Sequence, residues 1–356
     1  MKLQNWRTTI CICIVTFALL CGSCSNKPSE QLSSSASTGS DVEKPIELHT
    51  PPFITDIVVD MSKPGEMLPL DSVPLEELWY WYSLMGETHK ESYKELYGAI
   101  IAWLTTEDDS VDFPYEFHYE MAAPGFTLED YLIVALYIKE DNPFINSFLS
   151  LGGDERDGKV SFVEALRYPH NDIVHMSHDL ILASEDLLSG LTTDMNDYEK
   201  YKFIADALWQ HISYDYSSAW HIDNLSGSNM EDDDYQAMQW SLTAFSAIVR
   251  KTAVCEGISY AYQYLCNRAG LWCISIAGNT DAGTHQWNMI LIDGGYYWVD
   301  VTWMIEYGDR YFCLTDEQLL IDHDLPDYSY MLIPSTFFVC DATEHAYMGG
   351  DAGINR

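Results

Sequence analysis

The apolar positions of this chain fall mostly at helical spacing. Leu75, Leu78, Trp79 and Tyr82 stand at i, i+3, i+4 and i+7, and Tyr93, Leu96, Tyr97 and Ile100 repeat the pattern. Two helices are predicted there, PLEELWYWYSLM and ESYKELYGAIIAWL, broken at Gly86, with their stripes in a core. Thr127 and Asp130 have the spacing of a capping box, opening a helix that runs through Lys139 and stops before Pro143. Tyr201, Ile204, Ala205, Leu208 and Ile212 form one face of a helix within 194–214, and AMQWSLTAFSAIV (237–249) reads as another. Ile258, Ala261, Tyr262 and Leu265 predict a helix over 256–267, with Gly270 as its C-terminal stop. From His285 the pattern becomes that of strands: HQWNMILID and YYWVDVTW read as a hairpin around Asp293-Gly294-Gly295. Residues 105–126, with Pro114 and Pro124, read as loop with a short strand, and the acidic stretch 216–236 as a long surface loop.

Two stretches invite metal chemistry and then discourage it. In GDERDGKVSFVE (153–164), Asp157, Gly158 and Glu164 match the fifth, sixth and twelfth positions of a calcium loop. The first position is Gly153, which has no side-chain oxygen, so a metal-free degenerate loop or simple turn is expected. His170, His175 and His178 cluster without a carboxylate in helical register and are read as surface residues.

The N-terminus reads as an address. MKLQNWR is cationic, and the apolar run TTICICIVTFALL is too short for a comfortable membrane span and suits an export signal over residues 1–24. Gly22-Ser23-Cys24 resembles the bacterial lipobox, with Cys21 where that pattern has an aliphatic residue. The expectation is a lipoprotein held on the bacterial cell envelope through a lipid on Cys24, or a secreted protein if Cys24 is not lipidated. Residues 25–50, rich in Ser and Thr, read as a flexible tether.

The chain has 356 residues, 47% of them hydrophobic, which excludes a disordered composition. Net charge is −37, and removing Lys2 and Arg7 with the signal takes it to −39. Such a chain repels phosphate backbones and anionic bilayers, so nucleic acid is excluded as a partner and contact with a membrane is expected through the N-terminal lipid only. Of nine cysteines, five lie beyond residue 24: Cys255, Cys266, Cys273, Cys313 and Cys340. Their spacing has no zinc pattern, and an odd number leaves at least one unpaired within the chain.

Chemistry concentrates between Ala253 and Trp303. Cys255 stands at the head of the 256–267 helix, where unpaired N–H groups and the macrodipole favour a thiolate. Gly257 is expected to leave room beside the sulfur for a substrate backbone. The hairpin turn decides whether His285 meets Asp300. With Asp293-Gly294 as a type I′ turn, Ile292 pairs with Gly295, Asp300 comes opposite Trp287, and Asp300 is the diagonal neighbour of His285. With Gly294-Gly295 as the turn, Asp300 lies opposite Met289, roughly 13 Å along the strand from His285. The first register is predicted. A thiol, an imidazole and an orienting carboxylate suit attack on an amide carbonyl through a thioester, with the Cys255 N–H as one oxyanion donor and Trp220, Gln239 and Trp240 as guesses for a second.

These residues resemble the transglutaminase-like superfamily. Val254-Cys255-Glu256-Gly257, Arg268-Ala269-Gly270-Leu271, Gly278, His285-Gln286-Trp287-Asn288, Asp293-Gly294 and Trp298-Val299-Asp300-Val301-Thr302-Trp303 occur in its order. Ile212-Ser213-Tyr214-Asp215 is similar to its lead-in, and Tyr311-Phe312 through His323 to the tail of bacterial members. Ile258 departs, standing where members carry Tyr or Phe. The resemblance implies an α+β fold with a papain/transglutaminase-like core, the cysteine helix packed on an antiparallel sheet, and catalytic roles for Cys255, His285 and Asp300 without metal or organic cofactor. It divides the chain into a mainly helical region (51–195), a catalytic domain (196–345) and a tail (346–356). Hydrolysis of protein or peptide amides is the favoured reaction, because water is always present and a transferase must exclude it. Protein cross-linking and a non-catalytic surface binding module are the alternatives.

Overall fold

The structure is a computed structural model that describes residues 67–348 apart from 69, 111–114, 120–124, 157–158, 166–167, 224–231, 282 and 325–338, with side chains 151–167 and 232–233 also outside the description. The export signal, Cys24 and the tether therefore lie outside the described residues.

The N-terminal half begins with short helices α1 (Leu75–Leu78) and α2 (Tyr80–Ser83), then α3 (Glu87–Thr105). Gly86 caps α3, as the break between the two stripes predicts, while Trp79 divides the first predicted helix in two. After β1 (Glu116–Phe117) comes α4 (Leu128–Asp141), which opens with the Thr127–Asp130 capping box. Asp141, buried at its end, accepts the backbone N–H groups of Trp81 (2.9 Å) and Tyr82 (2.8 Å) and so ties α2 to α4. Helix α5 (Pro143–Phe148) leads into β2 (Leu149–Arg156) and β3 (Lys159–Ala165).

These strands bear on the stretch 153–164, for which a metal-free degenerate loop or simple turn is expected. Residues 153–156 and 159–164 lie in an antiparallel pair, with Arg156 opposite Lys159, so their backbone is committed to a ladder rather than to a twelve-residue metal loop. With β1 they make a three-stranded sheet, in order β1-β3-β2, within a region expected to be mainly helical. The following helix, α6 (His170–Leu188), corrects the surface reading of the histidines. His170 and His178 are buried, and only His175 stays open to solvent, against Glu107 at 2.9 Å.

Helix α7 (Asp197–His211) starts at a second capping box, Asn196 with Glu199, and leads to β4 (Ser213–Tyr214). The predicted surface loop over 216–236 is instead partly helical, in α8 (Tyr216–Asp223) and the start of α9 (Asp232–Ser241). Asp215 begins α8 by accepting from Ser218 N (3.0 Å) and Ser218 Oγ (2.8 Å), a cap more local than any hydrophobic period. The single helix expected over 237–249 is interrupted at Thr243, whose Oγ caps Ser246 N, and continues as a π-turn over Ser246–Arg250.

The remaining elements carry the site. Strand β5 (Thr252–Ala253) pairs in parallel with β4. Helix α10 (Cys255–Arg268) ends at Ala269, and Gly270, at φ 72°, sends the Leu271 N–H back to the Cys266 carbonyl (2.9 Å). A four-stranded antiparallel sheet follows, from β6 (Cys273–Thr280), β7 (Gly283–Ile292), β8 (Gly295–Val299) and β9 (His323–Asp324), in order β8-β7-β6-β9. Between β8 and β9 lie α11 (Val301–Tyr307), a 3-10 turn (Gly308–Tyr311) and α12 (Asp316–Leu319). The observed architecture is thus mixed helix and antiparallel sheet.

Helix α10 is the centre of this assembly. Every residue from Gly257 to Arg268 is buried. Ser259 Oγ donates to the Trp287 carbonyl (2.9 Å) and Asn288 Nδ2 donates to the Ser259 carbonyl (3.0 Å), locking the helix onto β7. At its far end the Arg268 guanidinium is paired with Asp71 (2.8 Å) and donates to the Ile181 carbonyl (3.0 Å) and Ser184 Oγ (2.6 Å). One contiguous apolar cluster runs from Leu68 to Ala346 through the helices on both sides of residue 195.

The role expected for Gly257 is corrected by this packing. A Cβ there would lie 2.4 Å from the Ser241 carbonyl oxygen and 2.9 Å from that of Thr243. The glycine serves close approach of α10 to the 241–243 backbone, not a substrate. Gly257→Ala should push the first helical turn outward, at a cost of about 1–3 kcal/mol, the range for overpacking. Thermal unfolding checks this: a melting temperature equal to that of the parent protein would refute it.

Candidate active site

Cys255 is the first residue of α10 and is partly exposed. The helix has no side-chain cap: Val254 precedes it, and the Val254 N–H is used by the Ser241 carbonyl (3.0 Å). The first N–H groups of the helix are therefore left without a side-chain acceptor at the end where Cys255 stands. Strand β5 delivers the cysteine, and β4 beside it delivers Tyr214. Burial, and next the charge of Cys255, raise the Tyr214 hydroxyl well above its ordinary pKa, which places this tyrosine in the field of Cys255.

His285 lies on β7, opposite Gly278 of β6. The turn between β7 and β8 has Asp293 at φ 49° and Gly294 at φ 84°, both left-handed as a type I′ turn requires. Ile292 pairs with Gly295, and the ladder runs to Asn288 opposite Val299, the register predicted from Asp293-Gly294. It brings His285 Nε2 to 2.8 Å from Asp300 Oδ2. The other ring nitrogen, Nδ1, is left for the cysteine. Gly278 makes this possible in a second way: a Cβ there would stand 2.3 Å from the Trp287 ring, so the indole needs its absence. Trp287 and Trp303 flank the imidazole, with ring centroids at 5.9 and 5.6 Å.

Asp300 is fully buried at the N-cap of α11. Its Oδ1 accepts the Trp303 N–H (3.0 Å), and Oδ2 accepts from His285 and also from His323 Nε2 (3.2 Å). Burial alone would raise its pKa. The charge of His285 and then the hydrogen bonds from both histidines outweigh that and lower it to about 2. Burial likewise pulls His285 down, but the Asp300 carboxylate outweighs it, with Cys255 adding a hydrogen-bond and charge contribution, and the imidazole is raised to about 10. Ionised Asp300 and protonated His285 are mutually stabilised, which makes the imidazole a ready partner for a thiolate.

His323 was not singled out as a site residue by sequence reasoning. It follows an aperiodic stretch and sits in a strand of only two residues; the one visible hint is its place between acids in Asp322-His323-Asp324. Donor atoms of His285, Asp300 and His323 lie within 4.8 Å of one another. Both imidazoles, however, point Nε2 at the same carboxylate oxygen, which makes this a hydrogen-bonded cluster rather than a ligand set.

The three guesses for a second oxyanion donor separate. Trp240 is buried between Tyr168, Phe245 and the Arg250 guanidinium, a core position, although its Nε1 has no partner. Trp220 is largely exposed on α8. Gln239 has a buried Nε2 without a hydrogen-bond partner, two residues before the Ser241 that holds Val254. The thiols of Cys266, Cys273, Cys313 and Cys340 are buried, and all five described cysteines are unpaired.

No family model matches the chain, and no curated protein matches it. Among solved structures it is similar to one described as "Crystal structure of a TGase", at 19% identity and a TM-score of 0.28. The alignment covers 49% of this chain and 49% of that one, so the chain spans about half the length of that neighbour.

Proposed function

We propose that this chain is a thiol hydrolase of the transglutaminase-like type, acting on amide bonds of protein or peptide substrates. The observation that carries the reading is the 2.8 Å bond between His285 Nε2 and buried Asp300, beside a partly exposed cysteine at an uncapped helix start. In this mechanism the Cys255 proton rests on His285 Nδ1 as a thiolate–imidazolium pair, and the thiolate attacks the amide carbon. The carbonyl oxygen becomes an oxyanion held by the Cys255 N–H, and collapse expels the amine, which takes the proton from His285. Water, deprotonated by the now neutral imidazole, attacks the thioester and releases the acid and the thiol. Asp300 holds the imidazole with Nδ1 toward the sulfur throughout. The reading includes export and anchoring through Cys24, which rest on the residues of the N-terminus.

Iodoacetamide tests the nucleophile. In the folded chain from residue 25 onward, labelling at pH 6 should fall on Cys255, because burial pushes the thiols of Cys273, Cys313 and Cys340 up. His285→Ala should slow it by about tenfold or more. An unchanged rate in that variant would sink the thiolate–imidazolium pair.

The reaction is tested with casein, with and without a primary amine such as cadaverine. Hydrolysis yields new carboxylates or ammonia without amine incorporation. Stable incorporation would instead identify a transferase. Asp300→Asn should lower turnover by about 10²–10⁴-fold.

The pair also couples folding to pH. The raised His285 pKa stabilises the folded state fully below 6.5, and this is lost as pH rises toward about 10. The lowered Asp300 pKa stabilises above 3.8, and this is lost as pH falls toward about 2. The difference in melting temperature between the parent protein and Asp300→Asn should therefore be largest between pH 3.8 and 6.5. A difference that does not vary with pH would contradict it.

A further inference from the structure

The carboxylate that orients His285 is not devoted to it. Asp300 Oδ2 is shared with His323 Nε2, and His323 is held in turn: its Nδ1 faces Asp322 Oδ1 at 2.8 Å. Asp322 Oδ2 accepts the Tyr311 hydroxyl at 2.6 Å, and the Arg310 guanidinium stands 4.0 Å away. A continuous chain of hydrogen bonds thus runs from Tyr311 through Asp322, His323 and Asp300 to His285.

The His323 side chain is entirely buried. Carboxylate oxygens only accept, and both His323 nitrogens face one. A neutral ring would set a lone pair against a carboxylate on one side, so the arrangement calls for a proton on each nitrogen. The ring then bridges two acids as a cation. Aromatic faces suit such a cation: Trp303 lies at 4.4 Å and Trp287 at 4.9 Å by ring centroid, the same indoles that flank His285. The backbone serves the same end, since the two-residue strand β9 pairs Thr280 with His323 and Asn279 with Asp324, anchoring the ring behind Asp300.

We propose that His323 is a positioning residue whose charge competes with His285 for Asp300, so that His323 and Asp322 together set how tightly the catalytic imidazole keeps its proton. The proposal rests on the thiol-enzyme reading for its functional meaning, but its physical content does not. A cation beyond Asp300 withdraws part of the carboxylate's charge from His285 and repels the second positive ring, whose centroid is 5.6 Å away. Both effects make His285 easier to deprotonate than it would be with Asp300 to itself. The mechanism needs that ease, because the imidazole must give its proton to the leaving amine and then act as a base toward water. His323 also helps hold Asp300 ionised, through its hydrogen bond and its charge.

The groups facing this network come from several elements. Cys255 reaches His285 from α10, and Asp300 reaches it from the end of β8. His323 and Asp322 come from β9 and the turn before it, and Tyr311 and Arg310 from the 3-10 turn. Tyr214 of β4 stands in the fields of Cys255 and Asp300.

The test follows the His285 ring directly, by carbon-13 NMR of its Cε1–H through a pH titration of the full chain, in the parent protein, in His323→Gln and in Asp322→Asn. His323→Gln keeps an N–H donor for Asp300 and removes the charge. Asp322→Asn removes the carboxylate that favours the second proton on His323, at a site with 24% of its side chain exposed, where a neutral isostere is tolerated. His323→Gln should raise the His285 midpoint by about 1–2 pH units, the effect of a full charge at this separation, and Asp322→Asn should raise it by less, because the more distant Asp322 carboxylate is lost together with the nearer His323 proton. The alkaline limb of turnover should move up with it. A midpoint that stays in place in folded Asp322→Asn overturns the proposal, whether or not His323→Gln folds. So does a loss of turnover by one constant factor at every pH, which would mark His323 as packing alone. If Cys255 is not a nucleophile, turnover is absent in every variant while the His285 midpoint still shifts, so failure of the enzyme reading is distinct from failure of this one.

Discussion

The buried carboxylate of Asp300 is the constraint on which the site depends. An ionised acid with no solvent exposure is expensive unless every lone pair is used. Here one oxygen caps α11 through the Trp303 N–H, and the other accepts from two imidazoles. Even the backbone N–H of Asp300 is committed, to the Tyr311 carbonyl at 2.9 Å. The residue is therefore both the start of a helix and the electrostatic centre of the site. Removing its charge would affect where α11 begins as well as how His285 titrates.

The hairpin places this carboxylate beside the right histidine. A strand's side chains alternate, so the two candidate turns would both have left His285 and Asp300 on one face, and only the left-handed pair Asp293-Gly294 sets them next to each other. That much was legible in the sequence because it follows from turn chemistry and counting. The capping boxes at Thr127 and the stop at Gly270 were legible for the same reason, as local rules acting over three or four residues. The helix start at Cys255 belongs with them.

Most of what escaped the sequence depends on partners far away along the chain. His323 sits 23 residues beyond Asp300 and meets it only because β9 closes the edge of the sheet. His170 and His178 look like surface residues until α6 packs against α3. The 216–236 stretch has no hydrophobic period, yet Asp215 starts a helix there through two short bonds to Ser218. Gly257 looked like room for a ligand when its neighbour is a backbone carbonyl from the 241–243 segment. Apart from the local cap at Asp215, a tertiary contact decided what pattern alone left open.

The bond between Arg268 and Asp71 closes one end of the helix that starts with Cys255. The described chain enters at the C-terminal end of α10, where the Asp71 N–H bonds the Arg268 carbonyl and its carboxylate meets the guanidinium. Cys255 is at the other end of the same helix, which at 1.5 Å per residue is about 20 Å away. The helix thus separates the Arg268–Asp71 pair from Cys255 by its full length, so a change that loosens this pair reaches the thiol only through the rigidity of the helix itself.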